Sequence, residues 1–128
     1  MTRRLVPFAA IALALAAADS KKEAPAIKVA EIAIHRADST ITIDGRIANS
    51  GAQPIHGLVL IFDVLGDDGQ LVNRQRGAID EDPLDPGAES EMHWQMKDHP
   101  RAVEIRVRAV AKGDAPVKVE QPGPYPIE

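Results

Sequence analysis

Apolar side chains in this chain recur at every second residue, and after the first twenty residues no stretch repeats them at helical spacing. Ile41, Ile43 and Ile47 alternate with Thr40, Thr42, Asp44 and Arg46, and Gly45 stands in the inward row. Leu58, Leu60, Phe62 and Val64 form one face of a second run. Met92, Trp94 and Met96 alternate with His93 and Gln95, and Val103, Ile105 and Val107 alternate with Glu104, Arg106 and Arg108. Period two sends successive side chains to opposite faces of an extended backbone, so each run predicts a half-buried strand. Turn formers separate the runs: Asn49-Ser50-Gly51, Asp67-Asp68-Gly69, Pro86-Gly87 and Lys112-Gly113-Asp114.

The leading run shifts phase, with Ile27 and Val29 on odd positions and Ile32 and Ile34 on even ones. A bulge near Ala30 and Glu31 restores both pairs to the core side. Strands of this number, with no candidate crossover helix for a parallel sheet, predict an all-β, immunoglobulin-like antiparallel sandwich of six or seven strands. The expected organisation is a signal peptide over 1–18, a tether over 19–26, the sandwich over 27–120 and an extended Pro-rich tail over 121–128.

The segment before the domain reads as an export signal preceding the fold as a short helix. Arg3 and Arg4 form a charged leader, Leu5 to Ala16 is apolar, and small residues at Ala16 and Ala18 fit leader-peptidase cleavage. The apolar run is shorter than the roughly 20 residues that span hydrocarbon. The expected location is periplasmic or secreted, with membrane association only through an uncleaved leader or, in relatives, a lipoprotein-like anchor. The flanking Leu15-Ala16-Ala17 and Asp19-Ser20-Lys21-Lys22 follow a lipoprotein signal except at Ala18, where the lipidated cysteine would stand; the chain has no cysteine.

Cleavage after Ala18 leaves 13 basic and 19 acidic side chains and removes Phe8, so that Phe62, Trp94 and Tyr125 are the remaining aromatics. That balance argues against nucleic acid, which requires a clustered basic face. Without disulfides, an aliphatic core and backbone pairing must hold the fold.

The stretches Ile43-Asp-Gly-Arg-Ile-Ala-Asn-Ser-Gly51, Pro54-Ile55, Val59-Leu-Ile-Phe-Asp-Val-Leu-Gly-Asp-Asp-Gly69 and Leu84-Asp-Pro-Gly87 together resemble the FxLYD-type immunoglobulin-like domains of bacterial cell-envelope lipoproteins. The resemblance spans about residues 27 to 112 and departs at the Tyr-Asp of the signature, where Val64-Leu65-Gly66 stand. It implies the fold and an envelope setting, and no catalytic residues.

On chemistry, none of Ser20, Ser39, Ser50 and Ser90 sits in a nucleophile elbow, and neither a His-Glu-x-x-His motif nor a phosphate-cradling glycine loop occurs. The expectation is a non-catalytic binding or assembly module without a cofactor, acting on another envelope protein. The alternative is a periplasmic copper(I) carrier using Met92, His93 and Met96, whose soft ligands suit that ion. Against it, strand geometry sends Met92 and Met96 to one face and His93 to the other. Asp80, Glu81, Asp82 and Asp85, joined by Asp67 and Asp68, form an acidic stretch that reads as a solvated loop or a calcium site without an established ligand pattern. Val59 and Ile61 make the second face of their strand apolar, which marks either a partner-binding patch or a surface covered by another part of the chain. Tyr125 and Ile127 in the tail either pack back or meet a partner. Arg46, Arg106 and Arg108, all expected outward, form a candidate basic strip.

Overall fold

The computed structural model describes residues 24–128; the leader, its signal helix and most of the tether lie outside them. Eight strands follow in order: β1 (Ala26–Ala37), β2 (Thr40–Asn49), β3 (Val59–Leu65), β4 (Leu71–Ala78), β5 (Glu89–Lys97), β6 (Glu104–Ala111), β7 (Ala115–Glu120) and β8 (Tyr125–Pro126). A single 3-10 turn, Lys112–Asp114, joins β6 to β7. No helix among the described residues is long and apolar enough to cross a membrane.

The strands form one hydrogen-bonded sheet in the order β4-β3-β6-β7-β1-β2-β5, with β8 on β6. All neighbours are antiparallel except β1 and β7, which pair in parallel over Ala26 to Lys28. This parallel join carries the sheet from one half, β4-β3-β6-β7, to the other, β1-β2-β5. The sheet thus curls until its free edges, β4 and β5, approach each other and nearly close a barrel.

The core is the set of inward rows. Ile27, Ile41, Ile43, Ile47, Leu60, Phe62, Ile105 and Val107 are fully buried. The phase shift in β1 is a register break between Val29 and Glu31. Across from it, Gly45 is required by close approach: a Cβ there would lie 2.1 Å from the Glu31 carbonyl oxygen. Glycine in the inward row of β2 is therefore the complement of the bulge.

Three differences from the sequence reading have physical causes. There are eight strands, because β4 and β7 pair into the sheet without a clean apolar alternation; Leu-Val-Asn-Arg-Gln-Arg-Gly-Ala of β4 has Asn73, Gln75 and Gly77 as its inner row. Ala26, expected in the tether, already belongs to β1. The tail past 120 returns to the barrel: β8 pairs with β6, and the Ile127 and Glu128 amides donate to the Val103 and Ile34 carbonyls.

Trp94 closes the seam between the edges. Its ring lies 5.2 Å from that of Phe62, centroid to centroid, at a tilt of 56°. It also lies over Gly77 of β4, where a Cβ would sit 2.0 Å from the indole nitrogen.

Candidate functional site

The turn motifs of the sequence resolve into scaffold. Asn49, 2% exposed, ends β2 with every polar atom engaged: Nδ2 donates to the Gln53 and Leu84 carbonyls at 2.8 and 2.9 Å, and Oδ1 accepts from the Gly51 amide at 2.9 Å. This side chain ties the loop after β2 to the strap that carries Leu84, where Ile55 and Leu84 exchange backbone bonds. A buried amide satisfied in this way fixes loop position.

The outer face of β4-β3-β6 is built differently. Register places Asp63 opposite Arg74 and Arg106, and Ile61 opposite Arg76 and Arg108. Four guanidinium groups from two strands therefore flank the middle strand. Asp63 is 6% exposed and receives Arg74 Nε at 2.7 Å on Oδ1 and Arg108 Nε at 2.7 Å on Oδ2. Burial pushes its carboxyl upward, but the hydrogen bonds and charges of Arg108 and Arg74 outweigh that and hold it below the ordinary carboxylate range. Arg76 reaches Asp114 at 3.3 Å, at one end of the face. Arg106 is exposed and makes no ion pair among the described residues; Glu104 stands two residues before it, at the other end of the row.

The arrangement has a consequence for binding. Asp63 engages Arg74 and Arg108 through Nε and so fixes their stems, while the terminal amino groups of the half-exposed Arg74 make no hydrogen bond among the described residues. Arginine side chains carry about 2 kcal/mol of rotamer entropy. Holding them before a ligand arrives reduces the ordering cost of binding.

Ile61 is buried at 3% exposure and Val59 is half-buried, so the apolar outer row of β3 is not an open patch. Long basic stems on both sides cover Ile61 while keeping their charges in water. Tyr125 is also half-buried: it pairs with Ile105, packs on the core and donates its hydroxyl to the Gln121 carbonyl, and burial raises its titration point.

Of the candidate strip, Arg106 and Arg108 share this face but Arg46 does not. It lies on β2, in the other half of the barrel, between Glu31 at 3.6 Å and Glu89 at 3.7 Å. Arg74 and Arg76 were missed because their strand lacks an apolar alternation.

Met92 and Met96 are 2% and 6% exposed in the core, whereas His93 projects outward and bonds Asp44. The Met/His set is divided by the sheet itself. In the acidic stretch, Asp82 accepts from the Gly57 amide at 3.0 Å and Glu81 from Ser90 Oγ at 2.5 Å. Asp68 accepts from the Gln70 amide at 3.0 Å, within its own turn. Among the described residues no three His, Cys, Asp or Glu side chains converge as a metal site.

No family model matches the chain, and no curated protein matches it significantly in sequence. Solved structures match by shape. A Bordetella pertussis protein designated ApaA superposes with a TM-score of 0.47 at 15% identity, covering 83% of this chain and 91% of its own. The β-glucosidase 3B of Thermotoga neapolitana gives 0.42 at 13% identity over 70% of this chain, which spans only 14% of the enzyme. IrmA of Escherichia coli gives a TM-score of 0.52 at 9% identity, covering 82% of this chain and 98% of its own, a similarity of fold over nearly the whole described domain.

Proposed function

We propose that this chain is an exported, non-catalytic binding module of the bacterial cell envelope, built as an immunoglobulin-like domain and directed at an acidic segment of another envelope protein. The observation that carries this reading is the braced arginine face: four guanidinium groups on one open sheet surface of a chain whose net charge is −4. Concentrating positive charge against the overall sign favours a local, oriented encounter over general attraction. The strand order supports the immunoglobulin-like assignment, since β1-β2-β5 and β4-β3-β6-β7 enclose one core and, apart from the β1–β7 join, their neighbours are antiparallel, with β2–β5 and β3–β6 paired across longer connections. The leader sequence and the resemblance to FxLYD-type envelope domains supply the setting.

Surface plasmon resonance of the chain against polyglutamate and polylysine tests the reading. At about 0.05 M salt, where screening is weak, polyglutamate is expected to bind the wild type and to lose binding to an Arg74→Glu, Arg76→Glu variant that keeps its unfolding transition. Equal response to both polymers, or undiminished polyglutamate binding by the variant, would overturn it.

A further inference from the structure

Beside the arginine face the sheet opens. β6 and β7 pair only over Ala109–Ala111 and Ala115–Val117; beyond that, β7 continues against β1, and the chain returns to β6 at Pro122, whose carbonyl accepts the Val107 amide at 2.9 Å. The fork leaves a groove of about 410 Å³. Arg106 and Arg108 stand on one bank, and Val110, Pro116, Val119 and Pro122 supply apolar walls. A depression of about 580 Å³ has apolar walls from Pro25, Ala26 and Pro54, but its one cation, Lys118, shares the lining with Glu120. The depression near Glu31, Asp44, Glu91 and His93 is charged throughout its polar rim and has Arg46 already bound to Glu31. The seam depression beside Trp94 carries Asp80, Glu91 and His93.

We infer that this groove is the recognition slot for an extended peptide of a partner protein, in which a carboxylate side chain meets Arg106 and a branched aliphatic side chain two residues away enters the fork. The inference rests on the binding-module reading and assigns its site. Three observations combine. Arg108 is held by Asp63 at 2.7 Å, so its stem is a fixed wall. Arg106, one row away on the same face, makes no ion pair among the described residues and can accept a carboxylate in the paired geometry its fork favours. The groove floor between β6 and β7 is aliphatic, so an acidic residue alone would leave it filled only with water, whereas a neighbouring valine-type side chain would bury apolar surface there. Successive side chains of an extended peptide point to opposite sides, so the aliphatic residue that enters the fork lies two residues from the carboxylate that meets the arginine row on the same surface.

The test is amide-resolved NMR titration of the full chain with a capped pentapeptide of sequence valine-glycine-glutamate-glycine-valine, which puts glutamate and both valines on one side of an extended backbone. Two analogues accompany it, one with glutamine for glutamate and one with serine for both valines. The expected result is saturable shifts concentrated on Arg106 to Val110 and Pro116 to Pro122, with each analogue binding about tenfold more weakly, the loss that one charge-assisted bond or one buried aliphatic group represents. Arg106→Gln should reproduce the glutamine result, Arg106→Lys should recover part of the affinity, and the peptide series keeps the test valid if either variant misfolds. Shifts that need the glutamate but ignore the serine exchange, and that centre on Arg74 and Arg76, would overturn the groove and leave the arginine-face reading standing. Absence of shifts from the pentapeptide together with absence of polyglutamate binding would overturn both. Groove shifts that grow with protein concentration before any peptide is added would assign the fork to a second copy of this chain and also overturn the proposal.

Discussion

Replacing Gly77 with alanine should destabilise the protein, although alanine is ordinarily the better strand residue. Gly77 has no positive φ, so its backbone suits any side chain. On backbone entropy alone the change would stabilise by roughly 0.4–1 kcal/mol. The obstacle is tertiary: the new Cβ would sit 2.0 to 2.3 Å from three atoms of the Trp94 indole, contacts that no packed structure holds. The ring must leave, and with it the contact to Phe62 at 5.2 Å. An aromatic pair contributes about 0.5–1.5 kcal/mol beyond its burial. Adding the partial exposure of a half-buried indole brings the loss to about 2–3 kcal/mol. The net expectation is a destabilisation of about 1–2 kcal/mol, equivalent to a fall in Tm of about 4–8 °C per kcal/mol in a domain of this size. Because Trp94 is the sole tryptophan, its emission reports the displacement directly and should move to longer wavelength in Gly77→Ala. The decisive assay is a double-mutant cycle by chemical denaturation: with Trp94→Ala already present, Gly77→Ala should become neutral or slightly stabilising. An equal cost in both backgrounds, or unchanged emission, would refute the seam packing.

Gly45→Ala should be more severe, about 3 kcal/mol or failure to fold, because its Cβ would meet the backbone oxygen of Glu31 at 2.1 Å and neither strand can yield without losing the bulge; urea denaturation measures it. Asn49→Ala should cost about 2–3 kcal/mol by taking away the side-chain partners of the Gln53 carbonyl and the Gly51 amide and the second bond to the Leu84 carbonyl, which keeps the Ile55 amide, and its denaturation midpoint should fall without a change in slope. Asp63→Asn should remove a stabilisation that follows from a lowered carboxyl: it is present at pH values above the unfolded titration range, near pH 4, and is lost as pH falls through the still lower folded value. Wild type and Asp63→Asn should therefore differ in Tm at neutral pH and converge in strong acid; a pH-independent gap would count against the Arg74–Asp63–Arg108 brace. Copper(I) under anaerobic conditions should leave the Tm unchanged, since Met92 and Met96 are in the core and His93 is outside it; protection by the ion would show a rearranged β5.

The strands that sequence revealed are those whose two faces differ. In β2, β5 and β6 the inward row is aliphatic or aromatic and the outward row polar, so alternation alone places Ile43, Met92 and Ile105 in the core. The β1 bulge was legible for the same reason, since a change of phase must be absorbed somewhere. In β4 both rows are polar or small after Leu71 and Val72, and its inner positions are filled from elsewhere: the space over Gly77 belongs to Trp94 of β5, seventeen residues further along the chain. The same cause hid half of the arginine face. Arg74 and Arg76 gain meaning only when register sets them beside Asp63 and Ile61, and register is a property of the pair of strands, not of either sequence. Arg46 shows the converse, as it resembles Arg106 and Arg108 in local pattern but is separated from them by the fold.

The middle strand of that face explains why a chain of modest size would carry a buried aspartate at all. An aliphatic residue at 63 would continue the apolar run of β3 without the desolvation penalty of a carboxylate, and replacements of that kind at buried ion pairs are often neutral or stabilising. They would also leave Arg74 and Arg108 without a common anchor, free to sample many rotamers above Ile61. Asp63→Leu therefore separates the two roles. If the ion pairs of the carboxylate contribute more than an aliphatic side chain gains by burial at that position, the variant should unfold more easily than wild type. If it serves to hold guanidinium groups in place for a partner, the variant should keep or gain stability while its affinity for polyglutamate falls, because the charges remain and only their order is lost. The second outcome is the one expected from a face on which both Nε atoms are bound at 2.7 Å and the side chains of Arg74 and Arg108 remain 47% and 43% exposed.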